Sequence, residues 1–329
     1  MKSGTAWVRA LTFFCSLLAC AIADAATVDR FPEKPVRIVL PAAPGGAYDV
    51  LLRGRGINNL LVQRWGQQVV VDNRPGGGGV IGTAIVASAV PDGYTLLLVT
   101  TGFATNPFLQ KQLPYSTPGD FTPVTILGAA PNVLVAHPSI PAAGFREFLA
   151  LARDRSARLN YASSGSGSGG HLSMELLKRM AGIDALHVPY KSAGPALTDV
   201  IAGHVQLLIT ATASAIPHIK TGRLKPLAVT SPMRTSVLPD IPTIAESGVA
   251  GYAVEGWYGV FGPRGMPAAL TARLHRDLAS AVSDPDVAAH FRAYGFEPKG
   301  TSPAEFSAYI AAEMKKWGQV IREAGITAD

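Results

Sequence analysis

Short apolar runs that end in glycine or small-residue turns and then pass into helical periodicity recur along this chain, which confines it to few folds. Residues 36–40 (VRIVL) form such a run, closed by Pro41. The turn Ala42-Ala43-Pro44-Gly45-Gly46-Ala47-Tyr48-Asp49 then leads into a helix expected to continue through Trp65, with Val50, Leu51, Ile57, Leu60 and Leu61 as its apolar residues. Residues 69–71 repeat the unit, followed by the glycine loop 73–79 and a helix over 82–90. A third run, 94–100, ends in Thr100-Thr101-Gly102. Runs this short and continuously apolar fit strands covered on both faces, as in parallel sheets. Parallel strands need crossover helices, so the chain reads as α/β.

Four prolines at 107, 114, 118 and 123 interrupt the pattern and read as a crossover between two lobes. Strands at 133–136, 159–162, 186–188, 205–209 and 224–230 then alternate with helices at 145–155, 171–180 and 195–202, giving a second α/β lobe. A proline-bounded short helix is expected at 238–248, and 254–261 is the return crossing. The remainder reads as helices at 267–283, 285–294 and 303–324, the last capped by Ser302 with Glu305 at capping-box spacing. A length of 329 residues exceeds what one core usually organises. The expected division is a targeting segment over 1–25, a first lobe from 26–127 with 253–329, and a second lobe from 128–252.

The stretch 160–172, NYASSGSGSGGHL, has the most pointed chemistry. It passes from a strand end through small residues into a helix start, where unpaired N–H groups and partial positive charge stabilise an anion by up to about 2 kcal/mol. Ser163, Ser164, Ser166 and Ser168 add hydroxyls. The GxGxxG at Gly165, Gly167 and Gly170 sits mid-chain without the acidic residue a dinucleotide fingerprint requires about 20 residues later. No serine here forms GxSxG, and no Walker A pattern occurs. Thr101 follows a strand end of the first lobe, where ligands of open parallel sheets bind. Tyr190 lies in the turn 189–192, and Thr212 lies in the small polar run 210–214.

Lys2 and Arg9, an apolar segment at 10–18 and Ala23-Asp24-Ala25 compose an export signal. Both cysteines, Cys15 and Cys20, fall inside it, so the mature chain would contain none; lipidation at Cys20 is the alternative to cleavage near Ala25. Loss of Lys2, Arg9 and Asp24 lowers the formal charge from +6 to +5. Those positive charges are dispersed, which argues against nucleic-acid binding. The seven histidines show neither HExxH nor a carboxylate cluster, so no metal, cofactor or catalytic set is expected.

Taken in order, PAAPGGAYD (41–49), DNRPGGGGVIG (72–82), PDGYTLLL (91–98), NYASSGSGSGGHLSMELL (160–177), HVPYKSAGPALTDVIAGHV (187–205) and RLKPLAVTSPMRTSVLPDIPTIAESG (223–248) resemble the Bug family of extracytoplasmic solute receptors. The resemblance implies a periplasmic-binding-protein type II fold with two α/β lobes, a central cleft and a hinge. It further implies a small organic acid as ligand, the membrane components of a tripartite tricarboxylate-type transporter as partners, and a monomer. Carried onto this chain, the clamp would comprise Ala43, Pro44, Gly45, Gly46, Tyr48 and Asp49 from one loop and Ser163, Ser164, Gly167, Ser168 and His171 from the other, with Thr101, Tyr190 and Thr212 beside them. Two other readings stay open: a sensor for a membrane signalling partner, and an exported hydrolase using Ser166 or Ser168 with His171.

Overall fold

The computed structural model describes residues 30–44 and 47–327. The targeting segment 1–25, with Cys20, and Gly45 and Gly46 of the first loop lie outside the described residues. The chain begins with β1 (Val36–Leu40), α1 (Ala47–Leu52), α2 (Asn58–Trp65), β2 (Val69–Asn73), α3 (Val80–Ala87), β3 (Thr95–Val99) and α4 (Gly102–Leu109). A 16-residue strand follows, β4 (Phe121–Ala136). Next come α5 (Phe145–Arg153), β5 (Asn160–Ser163), α6 (Gly169–Ala181), β6 (Leu186–Pro189), α7 (Ala193–Ile201), β7 (Leu207–Ala211), α8 (Thr212–Lys220) and β8 (Lys225–Val229). The last elements are β9 (Glu255–Pro263), α9 (Ala268–Val282), α10 (Pro285–Ala293), β10 (Glu297–Pro298) and α11 (Pro303–Glu323).

These strands form one mixed sheet in the order β2-β1-β3-β9-β4-β7-β5-β6, with β8 and β10 also on β4. Two parallel groups, β2-β1-β3 and β6-β5-β7, flank the antiparallel strands β9 and β4. From Phe121 to Pro131, β4 pairs with β9; from Asn132 to Ala136 it pairs with β7 and β8. One strand therefore pairs in both parts of the sheet, its partners changing between Pro131 and Asn132. Of the four prolines in the interval 107–123, Pro107 lies inside α4 and Pro123 inside β4.

Four segments differ from their sequence reading. The helix expected through Trp65 is two helices, because Gly54 adopts φ 61° and Gly56 rests on the Leu51 carbonyl with no room for a side chain. Residues 102–109 and 212–220 are helical although each contains an interior proline, Pro107 and Pro217; burial of Phe103, Ala104 and Ala215 outweighs the lost hydrogen bond. The segment 238–248 is not a helix. Its backbone is drawn instead to β8, where Val229 N–H donates to Pro242 O (2.9 Å) and Ile244 N–H to Val229 O (3.0 Å).

Alternation along the strands sorts the core. Val39, Leu97, Leu134, Leu207 and Ile209 face a continuous core that also takes in Phe148, Tyr161, Leu172, Phe306 and Trp317, and so runs through both lobes. On the other face, Ile38, Leu40, Leu96 and Leu98 join α9 in one core, while Val133, Val135, Ala162 and Leu208 join α7 in another. The sheet is thus shared by the lobes on one side and divided on the other.

Thr230 fastens the two crossings. Fully buried, it donates N–H to Asn132 O (2.9 Å) and its hydroxyl to Val254 O (2.8 Å), and it accepts Val254 N–H (2.8 Å). Thr230→Val keeps the shape but leaves the Val254 carbonyl without its hydroxyl donor. Equilibrium urea unfolding of this variant should show a loss of about 1–3 kcal/mol.

Candidate functional site

Six strand ends converge as two sets: the C-terminal ends of β1, β2 and β3, and those of β5, β6 and β7. This is where an open parallel sheet presents ligand loops.

In the first set, Ala43 and Pro44 are exposed. Asp49 pairs with Arg53 (2.6 Å), whose guanidinium also donates to Val71 O and Asn73 Oδ1 (2.9 Å each); Asn73 Nδ2 in turn donates to Ala42 O (3.1 Å). Asp49 thereby ties α1 to β2 and back to its own loop. The Tyr48 ring packs edge-on against Tyr258, with centroids 5.3 Å apart. Burial, then Tyr258, push the Tyr48 phenol far above its ordinary pKa, against a backbone hydrogen bond from Thr100. That bond places Tyr48 beside Thr101, which precedes α4.

In the second set, Ser163 ends β5 and is 0% exposed. Its Oγ lies 2.6 Å from His187 Nε2 and accepts Gly165 N–H (3.2 Å). Gly167 donates N–H to His171 Nδ1 (3.0 Å), and Ser168 caps α6 by accepting His171 N–H (3.4 Å). Gly165 and Gly167 hold φ 128° and 74°, values that side chains resist. The His171 ring lies flat on His187, with centroids 3.8 Å apart and planes 9° apart, and His187 stacks in turn on Tyr161 at 4.9 Å. Tyr190 donates N–H to Ser163 O (3.0 Å) and its hydroxyl to Asp199 (2.5 Å), and that carboxylate, with some burial, pushes the phenol up to about 12. Thr212 begins α8 and is buried.

The two sets meet through α4. Its start lies beside Tyr48, and a Cβ added to Gly167 would come within 2.9 Å of Leu109 Cδ1 at its end. Thr212 instead faces the turn before β10, where a Cβ on Gly295 would lie 3.3 Å from its Oγ1. Two neighbours were missing from the sequence-based candidates. His187 lies beyond the loop in sequence and became visible only through parallel β5–β6 pairing, which sets Tyr161 opposite it. Asn106 donates to Gly78 O (3.1 Å) in the loop after β2; the run of glycines at 76–79 was the sequence signal for that loop.

A hydrolytic pairing of Ser166 or Ser168 with His171 does not match this arrangement, since His171 Nδ1 takes the Gly167 amide and the Ser168 hydroxyl takes the His171 amide. Ser163 and His187 have the spacing of a nucleophile and base, yet Ser163 is sealed from any substrate. Among the described residues, no three His, Cys, Asp or Glu side chains gather to hold a metal, and no helix is long and apolar enough to cross a membrane.

A profile of the tripartite tricarboxylate transporter family receptors (TctC) matches residues 54–326. This chain belongs to that family. It is 33% identical to Protein BugT of Bordetella pertussis strain Tohama I over 311 residues, which span 94% of this chain and 95% of BugT. It also resembles two solved structures from Rhodopseudomonas palustris. One, Rpa4515 with adipate, has a TM-score of 0.75 at 36% identity and covers 90% of this chain and 99% of its own. The other, MatC (Rpa3494) with bound malate, has a TM-score of 0.71 at 31% identity and covers 88% of this chain and all of its own. The fold of this receptor is accordingly the two-lobed α/β binding-protein fold with a cleft and hinge.

Within the receptor's second loop, adjacent glycines differ sharply in tolerance. A Cβ on Gly170 would stand 2.7 Å from the Ile209 carbonyl of β7, whereas one on Gly169 meets nothing within 4 Å. Gly170→Ala should destabilise the protein by about 1–3 kcal/mol through overpacking. Gly169→Ala should be neutral or stabilise by up to about 1 kcal/mol. Thermal unfolding of the two variants side by side checks this.

Proposed function

We propose that this receptor binds a small dicarboxylate between its lobes, in the periplasm, and delivers it to the membrane components of a tripartite tricarboxylate-type transporter without altering it chemically. The observation that carries this reading is the pattern of amide use in the second loop. Gly165 and Gly167 turn their N–H groups inward, to Ser163 and His171, and Ser168 donates to Gly165 O (3.1 Å). The amides of Ser164, Ser166, Gly169 and Gly170 have no acceptor among the described residues. Four donors at the start of a 13-residue helix make a cradle for a carboxylate. The adipate and malate bound in the two related structures are of that chemical class.

One helix terminus contributes at most about 2 kcal/mol. Micromolar affinity requires roughly 8 kcal/mol. The second carboxylate is therefore assigned to the first loop, Ala43 to Gly46 with Tyr48, and to Thr101. Tyr190 and Thr212 complete the wall of the second lobe. We place the lobes at 26–127 with 253–329 and at 128–252, boundaries that lie close to the change of partners along β4 between Pro131 and Asn132 and to the return into β9. Export through the segment ending near Ala25 fits the role.

Isothermal calorimetry of the purified chain against succinate, malate, adipate and citrate, with glucose and sodium chloride as controls, tests the reading. At least one acid should bind with a Kd near micromolar, and Ser164→Trp should abolish that binding while leaving the melting temperature within a few degrees. Binding of the controls alone, or undiminished affinity in Ser164→Trp, would overturn it.

A further inference from the structure

Two of the loop's seven amides from Ser164 to Gly170 are fixed by groups that themselves sit in one buried stack. His171 Nδ1 accepts Gly167 N–H, so in this geometry that nitrogen carries no proton. His187 lies against the same ring at 3.8 Å and reaches Ser163, the acceptor for Gly165 N–H. Stacking at that distance suits two neutral imidazoles; two imidazolium ions there would repel strongly in a site largely closed to water.

We propose that His171 and His187 are positioning residues for the ligand loop, and that proton uptake at His171 Nδ1 dismantles the loop and releases a bound carboxylate. The inference rests on the carboxylate-binding reading above. The mechanism is local. An Nδ1–H would confront the Gly167 N–H, donor against donor, and Gly167 would turn out of its φ 74° conformation. Gly167 sits against Leu109 of α4, so the same rotation disturbs the contact that joins the two loop sets.

Among the described residues, the groups facing the pair leave this proton change to the imidazoles. From β5, Tyr161 closes the stack with a phenol that burial, and then the carboxylate of Glu175, hold protonated far above its ordinary value. On α6, Glu175 accepts the Tyr161 hydroxyl (2.6 Å) and the Lys178 ammonium (2.8 Å), so its charge is balanced at the far end of the tyrosine. After β6, the Tyr190 hydroxyl is tied to Asp199 of α7. From α4, Leu109 packs against Gly167, and it is apolar.

The sign follows. The binding-competent loop requires unprotonated Nδ1, so affinity is full above the transition and falls as pH drops through it, by at most about tenfold per pH unit for one proton. An imidazole ordinarily titrates near 6.5 and a lone carboxylate near 4.3, with the second carboxyl of a dicarboxylate somewhat higher, so between pH 8.0 and 5.5 the histidines change while the ligand gains part of one proton near the lower end, a contribution that a His171→Gln variant reports by itself.

The test measures adipate binding by calorimetry across that range, together with hydrogen exchange at the Gly167 amide in glycine-labelled protein, corrected for the intrinsic pH dependence of exchange. Wild-type affinity should fall severalfold from pH 8.0 to 5.5, beyond the loss that ligand protonation alone produces, and Gly167 protection should fall in parallel. His171→Gln, whose amide oxygen can accept Gly167 N–H without titrating, should bind at pH 8.0 and keep only the shallow slope of the ligand's own protonation. His187→Gln removes the like-charged neighbour and should move the midpoint to higher pH. A flat wild-type profile, an unchanged slope in His171→Gln, or steady Gly167 protection across the range would overturn the proposal. Should adipate fail to bind at any pH, the Gly167 measurement on the unliganded protein still decides it, separately from the identity of the ligand.

Discussion

The second loop of this receptor depends on where its backbone amides point. A glycine-serine loop has low intrinsic stiffness, and an anion cradle works only if the donors are held before the ligand arrives, because ordering them on binding subtracts from affinity. Here the holding is done by acceptors inside the second lobe: Ser163 Oγ for Gly165 and His171 Nδ1 for Gly167. With those two N–H groups turned inward, the alternate residues are left to present theirs. Each acceptor is held in turn, Ser163 through His187 and His171 by the stack that ends on Tyr161. Glycine supplies the backbone angles, and histidine selects among them.

The helix behind the loop is placed by a different constraint. Gly170 brings α6 onto the carbonyl of Ile209, and Tyr252 reaches across to Ser173 O (2.9 Å), so the cradle is seated on β7 and on the buried segment leading into β9. The C-terminal helix completes the support. α11 places Trp317 and Val320 in the shared core, and its Glu323 pairs with Arg179 of α6 (2.5 Å). The last helix in sequence therefore steadies the loop that the middle of the chain provides.

Much of this was legible in the sequence. The strand at 36–40, the capping box at Ser302 and Glu305 and the helix after Ser168 lie where periodicity and cap chemistry put them, because local signals and tertiary burial agree there. They disagree in α4 and α8, where Pro107 and Pro217 argue against helix and only the packed core overrides them. At 238–248 the failure runs the other way: prolines at 239 and 242 suggested helix boundaries, but the backbone at Pro242 and Ile244 is hydrogen-bonded to the neighbouring strand β8. The loop's composition was visible, whereas the direction of its amides was not. That direction is set by His187, a residue on another strand whose proximity depends on register.

The distribution of cores limits how the lobes can move. On one face a single core runs from Phe306 through Trp317 to Tyr161, and close packing there resists separation. On the other face the cores are distinct, and the lobes touch through narrower contacts, among them Gly295 against Thr212 and a hydrogen bond from Ser236 to Glu297 (2.8 Å). A rotation that opens the cleft will break few contacts on the divided face and must preserve packing on the shared one. Its axis therefore passes near β4 and β9, where Thr230 clips the two crossings together. Leu109 of α4 rests against Gly167, so a rotation of that kind would part the contact between α4 and the loop proposed to hold the ligand.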